Sequence, residues 1–596
     1  MNSVLGFSLF NKLPSQKAEA VLAAQHNALG YFKHIQHRSI LIGESRLELW
    51  GHNNLNERFH YLSDGALLVL IGSPLGGASL MEVGETVLNL QNIGEFELPW
   101  EGRAILLKVS ADGKCWTMWN DWLGSIPVFH TEAAGGRIVS TLEPVAVAAG
   151  GFSPDDIFLP GLVSLLINGH YLSDWTLYKG MKILSPDSVA EWDEKGLRAK
   201  QLWSVQPSQS RWEASSDDLI DEMHELSHKA IADTLRSQPT WILPLSSGLD
   251  SRLIAGVAAD IGADVHAYAW GAAHTTDVAY SRQIAKTLGL PWKHIDLPKD
   301  FLSKYTPHWA NWFGSAMHFH GMYQMSFLDE IKTEPNAPII SGFIGDVLAG
   351  DSIKDVAEVH SSGRSYQLES DWYCHWTVNE VRTSAKFPLV DALEANAEEL
   401  KKQINSLPGA FYQKLQLLEL WSRQRHFTGF QSILSDYWRG VANPFMNRAY
   451  ARFCLSIPRM ALDNRQLLSG VFRRHYGRLA VIPGTYAQDP YILTGKYLVL
   501  RKIAGALLPA FHRGPLKGFG NVQLRIDIAS VQSIGRDALW PLFNVLDQLK
   551  EWIDIDQLEQ DYQTIMHSQK DIRPLRRLQS VQVLAYRLLG KKGNIS

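Results

Sequence analysis

The segment that decides the fold is Leu245-Ser246-Ser247-Gly248-Leu249-Asp250-Ser251-Arg252. It follows an apolar stretch over 240–245 and leads into a stretch with helical periodicity over 252–261. Short side chains in such a turn let backbone N–H groups converge on an anion at the helix N-terminus, where the helix dipole also favours negative charge. Asp250 by itself would repel a phosphate, so its presence indicates a bridging divalent cation. The segment predicts a phosphate-binding loop; an ordinary strand-to-helix turn with a serine N-cap is the alternative.

Strands alternate with helices around this segment. A strand candidate over 265–270 is followed by a helix over 278–288, and a third strand ends at Ile340. This alternation predicts a parallel, doubly wound sheet. Beyond about residue 361 the periodicity becomes helical, as in 415–431, which predicts a helical C-terminal part.

The earlier part of the chain predicts an antiparallel, β-rich domain. Short strand candidates separated by turns occur at 66–71, 103–109, 115–119 and 135–140. A polar stretch over 206–218, with Pro207 and several serines, is typical of a linker before a helix. A chain of 596 residues is too long for one hydrophobic core. We therefore predict an α/β multidomain protein whose domains are 1–210 and 211–596.

Composition excludes several classes of protein. A formal charge of −4 with no polybasic tail argues against nucleic acid as a partner. Three cysteines, Cys115, Cys374 and Cys454, without a C-x-x-C pair leave no disulfide framework and no zinc site to propose. The N-terminus lacks a basic region followed by an apolar one, and no long apolar run could span a membrane. We expect a soluble, cytoplasmic protein that acts on a small molecule or another protein.

A second segment, Pro338-Ile339-Ile340-Ser341-Gly342-Phe343-Ile344-Gly345-Asp346, again ends an apolar strand in small residues and an acid. Ligands bind at the carboxyl ends of the strands in open α/β sheets. We therefore expect Asp250 and Asp346 to lie at the same sheet edge, within reach of one divalent cation; an ordinary Gly-Asp turn is the alternative.

The two segments resemble the nucleotide-binding motifs of the asparagine synthetase family, within the adenine-nucleotide α-hydrolase superfamily. The first resembles the pyrophosphate loop S-G-G-x-D-S, with Ser247 in place of a glycine; the second resembles S-G-x-G-x-D-E-x-x-x-G, with Val347 in place of an acid. A P-loop would need G-x-x-x-x-G-K-[S/T], which the sequence lacks. The resemblance implies Mg²⁺ on Asp250 and Asp346. It implies that ATP is bound by Leu245, Ser246, Ser247, Gly248, Asp250, Ser251, Trp270, Ser341 and Gly342.

The resemblance extends to the first domain. Residues 120–129, N-D-W-L-G-S-I-P-V-F, resemble the D-x-x-G-x-x-P-L-Y-Y signature of class II glutamine amidotransferase domains, and 140–143 resembles the S-E stretch that follows it. This implies an Ntn-type domain. In that family the nucleophile is a cysteine exposed as residue one, whereas this chain begins Met1-Asn2-Ser3 and Cys115 is expected inside a strand, where it would pack. We expect the architecture without the glutaminase chemistry.

The resemblance in the C-terminal third is looser. Residues 440–447 resemble R-x-P-F-L-D, and 513–519 resemble R-x-K-x-G-F, whose lysine neutralises charge on the pentavalent phosphorus and on the tetrahedral intermediate. This implies that Lys517 is catalytic together with Asp250 and Asp346; an ordinary surface lysine is the alternative. Arg423 and Arg425 would either bind an anionic substrate or be solvated helix charges.

These motifs predict an AMP-forming carbon–nitrogen ligase that activates a carboxylate as its acyl-adenylate. The acid is a small molecule, a glycan uronic acid or a peptide, and ammonia or an amine attacks it, as in the resembling β-lactam synthetases and lasso-peptide cyclases. Related proteins act in polysaccharide and natural-product pathways, and the resemblance is compatible with a homodimer. Two alternatives stay open: a catalytically silent scaffold or regulator, and an adenylating enzyme that ends in thiolation or nucleotide hydrolysis.

The first prediction is that the protein has no glutaminase activity, because no cysteine can be exposed at the N-terminus. Glutamate release from glutamine by the purified protein should stay at the background rate. Turnover that survives replacement of all three cysteines would reveal an unrecognised nucleophile and contradict this interpretation of the first domain.

The second prediction concerns Lys517, which we expect to act after nucleotide binding. Lys517→Ala should lower kcat and kcat/KM together by about 10² to 10³, as for one lost electrostatic contact in a closed site. ATP affinity should barely change. An unaltered rate would remove Lys517 from the mechanism and make Lys496 the next lysine to test.

Overall fold

The computed structural model describes residues 3–53, 55–133, 136–273, 275–331, 337–350, 376–386, 389–484, 526–568 and 571–589. Its first part holds two six-stranded antiparallel sheets, with strand orders β10-β8-β9-β1-β3-β2 and β12-β11-β7-β6-β5-β4. The strands are β1 (Val4–Asn11), β2 (Gln36–Ile42), β3 (Ser45–Gly51), β4 (Phe59–Tyr61), β5 (Leu67–Leu75), β6 (Glu101–Val109), β7 (Trp116–Asn120), β8 (Phe129–Ala133), β9 (Gly136–Ser140), β10 (Met181–Ile183), β11 (Ser188–Asp193) and β12 (Gly196–Gln201).

The two sheets pack face to face, and helices cover their outer faces. In β6, Ile105 and Leu107 point into the core between the sheets, whereas Ala104 and Leu106 point to the other face, so this strand is apolar on both sides. The helices of this part are α1 (Ser15–Leu29), α2 (Leu80–Leu88), α3 (Glu143–Gly150) and α4 (Leu159–Asn168).

A five-stranded parallel sheet follows, in the order β15-β14-β13-β16-β17. Its strands are β13 (Thr240–Pro244), β14 (Asp264–Trp270), β15 (Trp292–Ile295), β16 (Ile339–Ile340) and β17 (Val441–Ala442). The helices of this region are α5 (Ser216–Arg236), α6 (Leu249–Asp260), α7 (Thr276–Leu288), α8 (Phe301–Phe313), α9 (Met322–Glu330) and α10 (Gly345–Leu348). The chain builds outward from β13 to β15 and then returns to β16 on the other side of β13. The strand order therefore reverses between β13 and β16.

The remaining described residues are almost entirely helical. These helices are α11 (Val378–Ser384), α12 (Ala392–Ser406), α13 (Phe411–Glu419), α14 (Phe430–Arg439), α15 (Arg448–Cys454), α16 (Arg459–Leu462), α17 (Gln466–His475), α18 (Gly477–Ala480), α19 (Ile526–Ile534), α20 (Leu546–Leu549), α21 (Ile555–His567) and α22 (Arg573–Leu589). A π-helical segment, Leu420–Thr428, joins α13 to α14. No helix among the described ranges is both long and apolar enough to cross a membrane.

The predicted fold class is confirmed in its coarse form: antiparallel sheets come first and a parallel sheet comes later. The four predicted early strands correspond to β5, β6, β7 and β9. The predicted position of Cys115 inside a strand is wrong, because Cys115 lies just before β7 and is only half-buried. The strands before residue 66 were missed, as β1 shows: it is buried at every position yet includes Gly6 and Ser8, so it has no alternating apolar pattern. The domain division at 210 stays a prediction, although the last antiparallel strand ends at Gln201.

Buried ionic contacts join the first part of the chain to the helical part. Glu143, at the start of α3, pairs with Arg587 on the last helix and also accepts a hydrogen bond from Ser315. Burial is the largest effect and opposes the charge on Arg587, but Glu143 together with Tyr178 and Tyr586 outweighs it, so the pKa of the guanidinium is raised. Since these residues are far apart in the sequence, the pair stabilises the assembled molecule rather than either part alone.

The third prediction tests this pair. Glu143→Ala leaves the buried Arg587 charge without its partner and should destabilise the protein by about 3–5 kcal/mol. Urea unfolding followed by tryptophan fluorescence provides the measurement. The matched control is Glu559→Ala, which removes the exposed partner of Arg536 and should cost at most about 1 kcal/mol. Equal shifts in the two variants would contradict a stabilising role for the Glu143–Arg587 pair.

Candidate functional site

The candidate site lies where the strand order of the parallel sheet reverses. β13 and β16 are adjacent and parallel, with Ile242 opposite Ile339. The chain leaves β13 toward one side of the sheet and β16 toward the other, which opens a crevice at the carboxyl ends of these strands. The predicted phosphate loop follows β13, and the predicted second acidic segment follows β16. Both therefore emerge at the same point.

Serine hydroxyls hold the first loop in shape. Ser251 Oγ accepts a hydrogen bond from Ser246 N at 3.1 Å, and Ser246 Oγ accepts one from Gly248 N at 3.1 Å. α6 begins at Leu249 with Gly248 as its N-cap, so no cap side chain covers its first turn. The first-turn N–H groups of a helix lack intrahelical acceptors, which makes this end of α6 suited to an anion.

Ser247 lies behind the loop and not on its open face. It is completely buried, its N–H donates to Asp277 Oδ1 at 2.7 Å, and its carbonyl accepts from Arg252 at 2.7 Å. The same guanidinium donates to the carbonyls of Ile482 and Pro483, so Arg252 anchors the loop to the end of α18. Ser247 thus contributes to the shape of the loop, and its predicted contact with phosphate remains a prediction.

The second loop packs directly against the first. A Cβ added at Gly342 would lie 3.0 Å from Asp250 Cβ, and one added at Gly345 would lie 2.9 Å from Asp250 Cγ. Only glycine permits this approach without displacement. Ile344 between them has φ +63°, a conformation that is strained for a β-branched residue and is found mostly at functional sites. The two loops are therefore interlocked around the Asp250 side chain.

Asp250 also forms an ion pair that the sequence analysis missed. Its Oδ1 accepts a hydrogen bond from the guanidinium of Arg465, which is only 3% exposed. Arg465 and Asn464 both have positive φ, +57° and +54°, just before α17. Two consecutive non-glycine residues in this region are unusual, but nothing in the sequence around 465 signals a link to the loop at 250.

The two loops open onto a cavity of about 430 Å³. Most of the predicted ligands line it: Ser246, Gly248, Asp250, Ser251, Trp270, Ser341, Gly342 and Asp346. Leu245 does not line it, because its side chain is buried and its N–H donates to the carbonyl of Tyr268 in β14. Lys517 lies outside the described residues.

Several lining residues were not predicted. They are Asp277, Tyr323, Gln424, Thr428, Gln431 and Asp527. Arg423, predicted as a possible anion ligand, does line the cavity and pairs with Glu419 at 3.0 Å. Arg425 does not: it is buried and donates to the carbonyls of Gly124 and Leu184, so its predicted substrate role is corrected to a structural one. Arg423 and Arg425, two positions apart in the π-helical segment, thus face the cavity and the first part of the chain respectively. A regular α-helix would not predict this distribution.

The charges around the cavity are suited to a divalent cation. Its described lining includes four carboxylates, of Asp250, Asp277, Asp346 and Asp527, and one guanidinium, of Arg423. A triphosphate would be repelled by these carboxylates unless a cation lay between them. In the described ranges no group of three or more His, Cys, Asp or Glu side chains is arranged to hold a metal ion by itself. Magnesium is commonly held by one or two carboxylates together with the phosphates of its substrate, so Asp250 and Asp346 fit this requirement.

In the segment over 120–129, which resembles the amidotransferase signature, the polar groups have structural roles. Asp121 accepts hydrogen bonds from Leu123 N, Ser125 N and Ala104 N, which shapes the turn over 121–125. Burial raises the pKa of the Cys115 thiol, which disfavours the nucleophilic thiolate. Neither residue points to a glutaminase nucleophile.

The chain matches known proteins in part of its sequence and in part of its structure. No curated protein matches the chain. One structural match is described as the allosteric regulatory enzyme of purine biosynthesis, with 10% identity, a TM-score of 0.22, and coverage of 48% of this chain and 64% of that one. Another is glutamine phosphoribosylpyrophosphate amidotransferase from B. subtilis complexed with ADP and GMP, with 9% identity, a TM-score of 0.22, and coverage of 48% and 65%. This chain thus spans less than two thirds of the length of either protein. TM-scores this low do not indicate a shared fold.

The family comparison is more informative. Residues 222–328 match the model of the asparagine synthase family. The matched region runs from α5 to α9 and includes β13, the loop at 245–252 and Trp270, so it covers one of the two interlocked loops. Over residues 222–328, about a fifth of its length, this chain is thus similar to the asparagine synthase family.

Proposed function

We propose that this protein forms an amide bond by activating a carboxylate as its acyl-adenylate, with ATP and Mg²⁺ as cosubstrate and cofactor. The match of residues 222–328 to the asparagine synthase family supports the coarser part of this proposal, an ATP-dependent amide-bond ligase. The observation that carries the rest is the interlocking of the two strand-end loops, which brings Asp250 and Asp346 to one cavity beside a helix N-terminus. This combination supports a nucleotide site in which a polyphosphate and a divalent cation bind together.

The loop at 246–251 would bind the departing pyrophosphate. The first turn of α6 presents N–H groups there, and the helix dipole adds to the attraction for negative charge. Ser246 and Ser251 line the cavity with hydroxyls that already shape the loop. Because these groups are positioned before the ligand binds, little reorganisation is needed as charge develops on the leaving group.

Asp250 and Asp346 would hold the Mg²⁺. Bound there, the ion supplies positive charge that offsets the charge of the phosphates. Arg465 engages Oδ1 of Asp250 and so restricts the carboxylate to one orientation. Asp346 is likewise restrained, since its Oδ1 accepts a hydrogen bond from Val347 N at 2.9 Å.

Aromatic and polar side chains would position the organic parts of the substrates. Trp270 at the end of β14 lines the cavity and lies nearly parallel to Tyr323, with ring centroids 6.3 Å apart. Such a wall suits a planar base. Arg423 and Gln424 on the π-helical segment supply hydrogen-bond donors suited to an anionic acceptor, the carboxylate. Uronic acids and peptide carboxylates are the candidate acids.

In this reaction a carboxylate oxygen attacks the α-phosphorus of ATP, and the bond to pyrophosphate breaks. The nitrogen of ammonia or an amine then attacks the acyl carbon, and AMP leaves. With no glutaminase nucleophile recognised in the first domain, the nitrogen would come from solution, from a partner or from a second substrate. Lys517 remains the proposed stabiliser of the developing charge.

A second candidate is a relative that binds a ligand without catalysing the reaction. Two contacts favour it: Arg465 already neutralises Asp250, and Asp277 already accepts the Ser247 N–H. Such a protein would bind ATP without exchanging pyrophosphate. The same exchange experiment therefore separates the two candidates.

The fourth prediction is that the wild-type protein catalyses ATP–pyrophosphate exchange that depends on both Mg²⁺ and a carboxylate. L-Aspartate, L-glutamate, D-glucuronate and D-galacturonate form the test panel. Asp250→Asn and Asp346→Asn should each abolish exchange, since each removes a formal charge from a hard-cation site. The double variant should be scarcely worse than either single one, because both residues would serve one ion.

The control for these variants is Asp264→Asn. Asp264 is exposed at the opposite, amino-terminal end of β14, where it accepts a hydrogen bond from Thr240. Its replacement should leave exchange unchanged. Normal exchange in Asp250→Asn or in Asp346→Asn would overturn the assignment, and ATP binding without exchange for any acid would favour the silent relative.

A further inference from the structure

Asp527 is a buried carboxylate on the wall of the same cavity. It lies in the first turn of α19 and is 2% exposed. Among the described residues none donates a hydrogen bond to its Oδ1. A buried carboxylate oxygen without a donor costs free energy, so its persistence on a cavity wall points to a ligand that supplies the donor.

The groups around Asp527 do not remove this cost. Arg576 on α22 is the cation that acts on it and favours its charged form, but burial has the larger effect and raises the Asp527 pKa to about 7. Arg576 directs one of its own N–H groups to Gln579. Among the described residues, Tyr323 on α9 is a further titratable neighbour, and its pKa rises to about 12 through burial and the nearby Asp527 charge. The charged Arg423 lines the same cavity and acts on Arg576. Asp527 is thus a weakly compensated carboxylate that can take up a proton near neutral pH.

The location distinguishes Asp527 from the proposed metal ligands. Asp250 and Asp346 follow adjacent strands of the parallel sheet, whereas Asp527 comes from the C-terminal helices. Asp527 shares the cavity wall with neutral hydrogen-bonding groups, such as Tyr323, Thr428 and Gln431. With the guanidinium of Arg576 acting on it, Asp527 is a poorer ligand for a hard cation than Asp250 and Asp346, since such a cation needs several oxygen ligands. It is a good site for an N–H donor that carries or releases a proton.

We propose that Asp527 binds the amine nucleophile and acts as the general base in amide formation. This inference rests on the proposed acyl-adenylate chemistry and names a group for its second step. The neutral amine donates an N–H to the open Asp527 oxygen. As the C–N bond forms, that proton passes to Asp527; the C–O bond to AMP breaks, and AMP leaves with the electron pair. The proton is then lost to solvent, so atoms and charge balance.

This assignment predicts a selective loss, which is the fifth prediction. With the panel acid that gives the fastest wild-type exchange and with ammonium chloride as the nitrogen source, Asp527→Asn should lower the ratio of amide formation to pyrophosphate exchange by about 10² to 10⁴, the range for general-base catalysis. Hydroxylamine, a more reactive nucleophile than ammonia, depends less on a general base and should react with a smaller loss. Asp527→Glu, which keeps a carboxylate, should recover part of the ammonia-dependent rate.

The pH profile gives a readout that a structural role would not change. A base must be ionised to accept a proton, so at saturating acid the wild-type rate with hydroxylamine should rise with pH through about 7, and Asp527→Asn should lack this rise. Asp329→Asn is the matched control, since Asp329 is a largely buried carboxylate on α9 that interacts with Tyr305 and Lys304 away from the cavity. Its ratio of the two activities should equal that of the wild type.

The possible outcomes separate the two proposals. A lower ratio with the lost pH limb supports Asp527 as the base. An unchanged ratio overturns this role while exchange in the same samples leaves the adenylation proposal intact. Equal loss of exchange and amide formation in Asp527→Asn, with a wild-type unfolding temperature, also overturns it, because Asp527 would then act in the first step.

Discussion

The close approach of two loops at the reversal of strand order is the constraint on which the site depends. Gly342 and Gly345 leave room for the Asp250 side chain, and a methyl group at either position would lie about 3 Å from it. Close packing of this kind tolerates little displacement. The loop after β16 therefore positions the carboxylate that the loop after β13 carries, and the strained backbone at Ile344 is the local cost of that arrangement.

Buried arginines extend this constraint through the molecule. Arg465 orients Asp250, Arg252 ties the phosphate loop to the carbonyls that follow α18, and Arg425 binds the turn around Gly124 in the first domain. A guanidinium presents several N–H donors in a fixed geometry, so one side chain can satisfy carbonyls from separate segments. Each of these arginines fixes the position of a backbone segment or a side chain near the cavity. The segments around Gly124 and Leu184 thereby support the wall of the cavity, because they hold Arg425 next to Arg423.

The π-helical segment explains how the cavity receives its polar lining. Arg423, Gln424 and Thr428 face the cavity, whereas Arg425 turns to the first domain. In a π-helix the residues follow a wider turn than in an α-helix, so the side chains are redistributed around the axis. In the sequence Arg423 and Arg425 look like two solvated charges on one helix face. In the structure Arg423 faces the cavity and Arg425 has a structural role.

The sequence by itself determined the parallel sheet, its two strand-end loops and the lining residues that belong to those loops. These features are local: apolar strands, small residues and an acid occur within single segments, and the carboxyl ends of parallel strands share an edge by geometry. The first strand, β1, escaped prediction because it is buried on both faces and has no alternating pattern. Only the tertiary structure brought Arg465 to Asp250, turned Ser247 away from the cavity and placed Asp527 on its wall. The Arg465–Asp250 contact joins residues 215 positions apart, and packing rather than local propensity selects such partners.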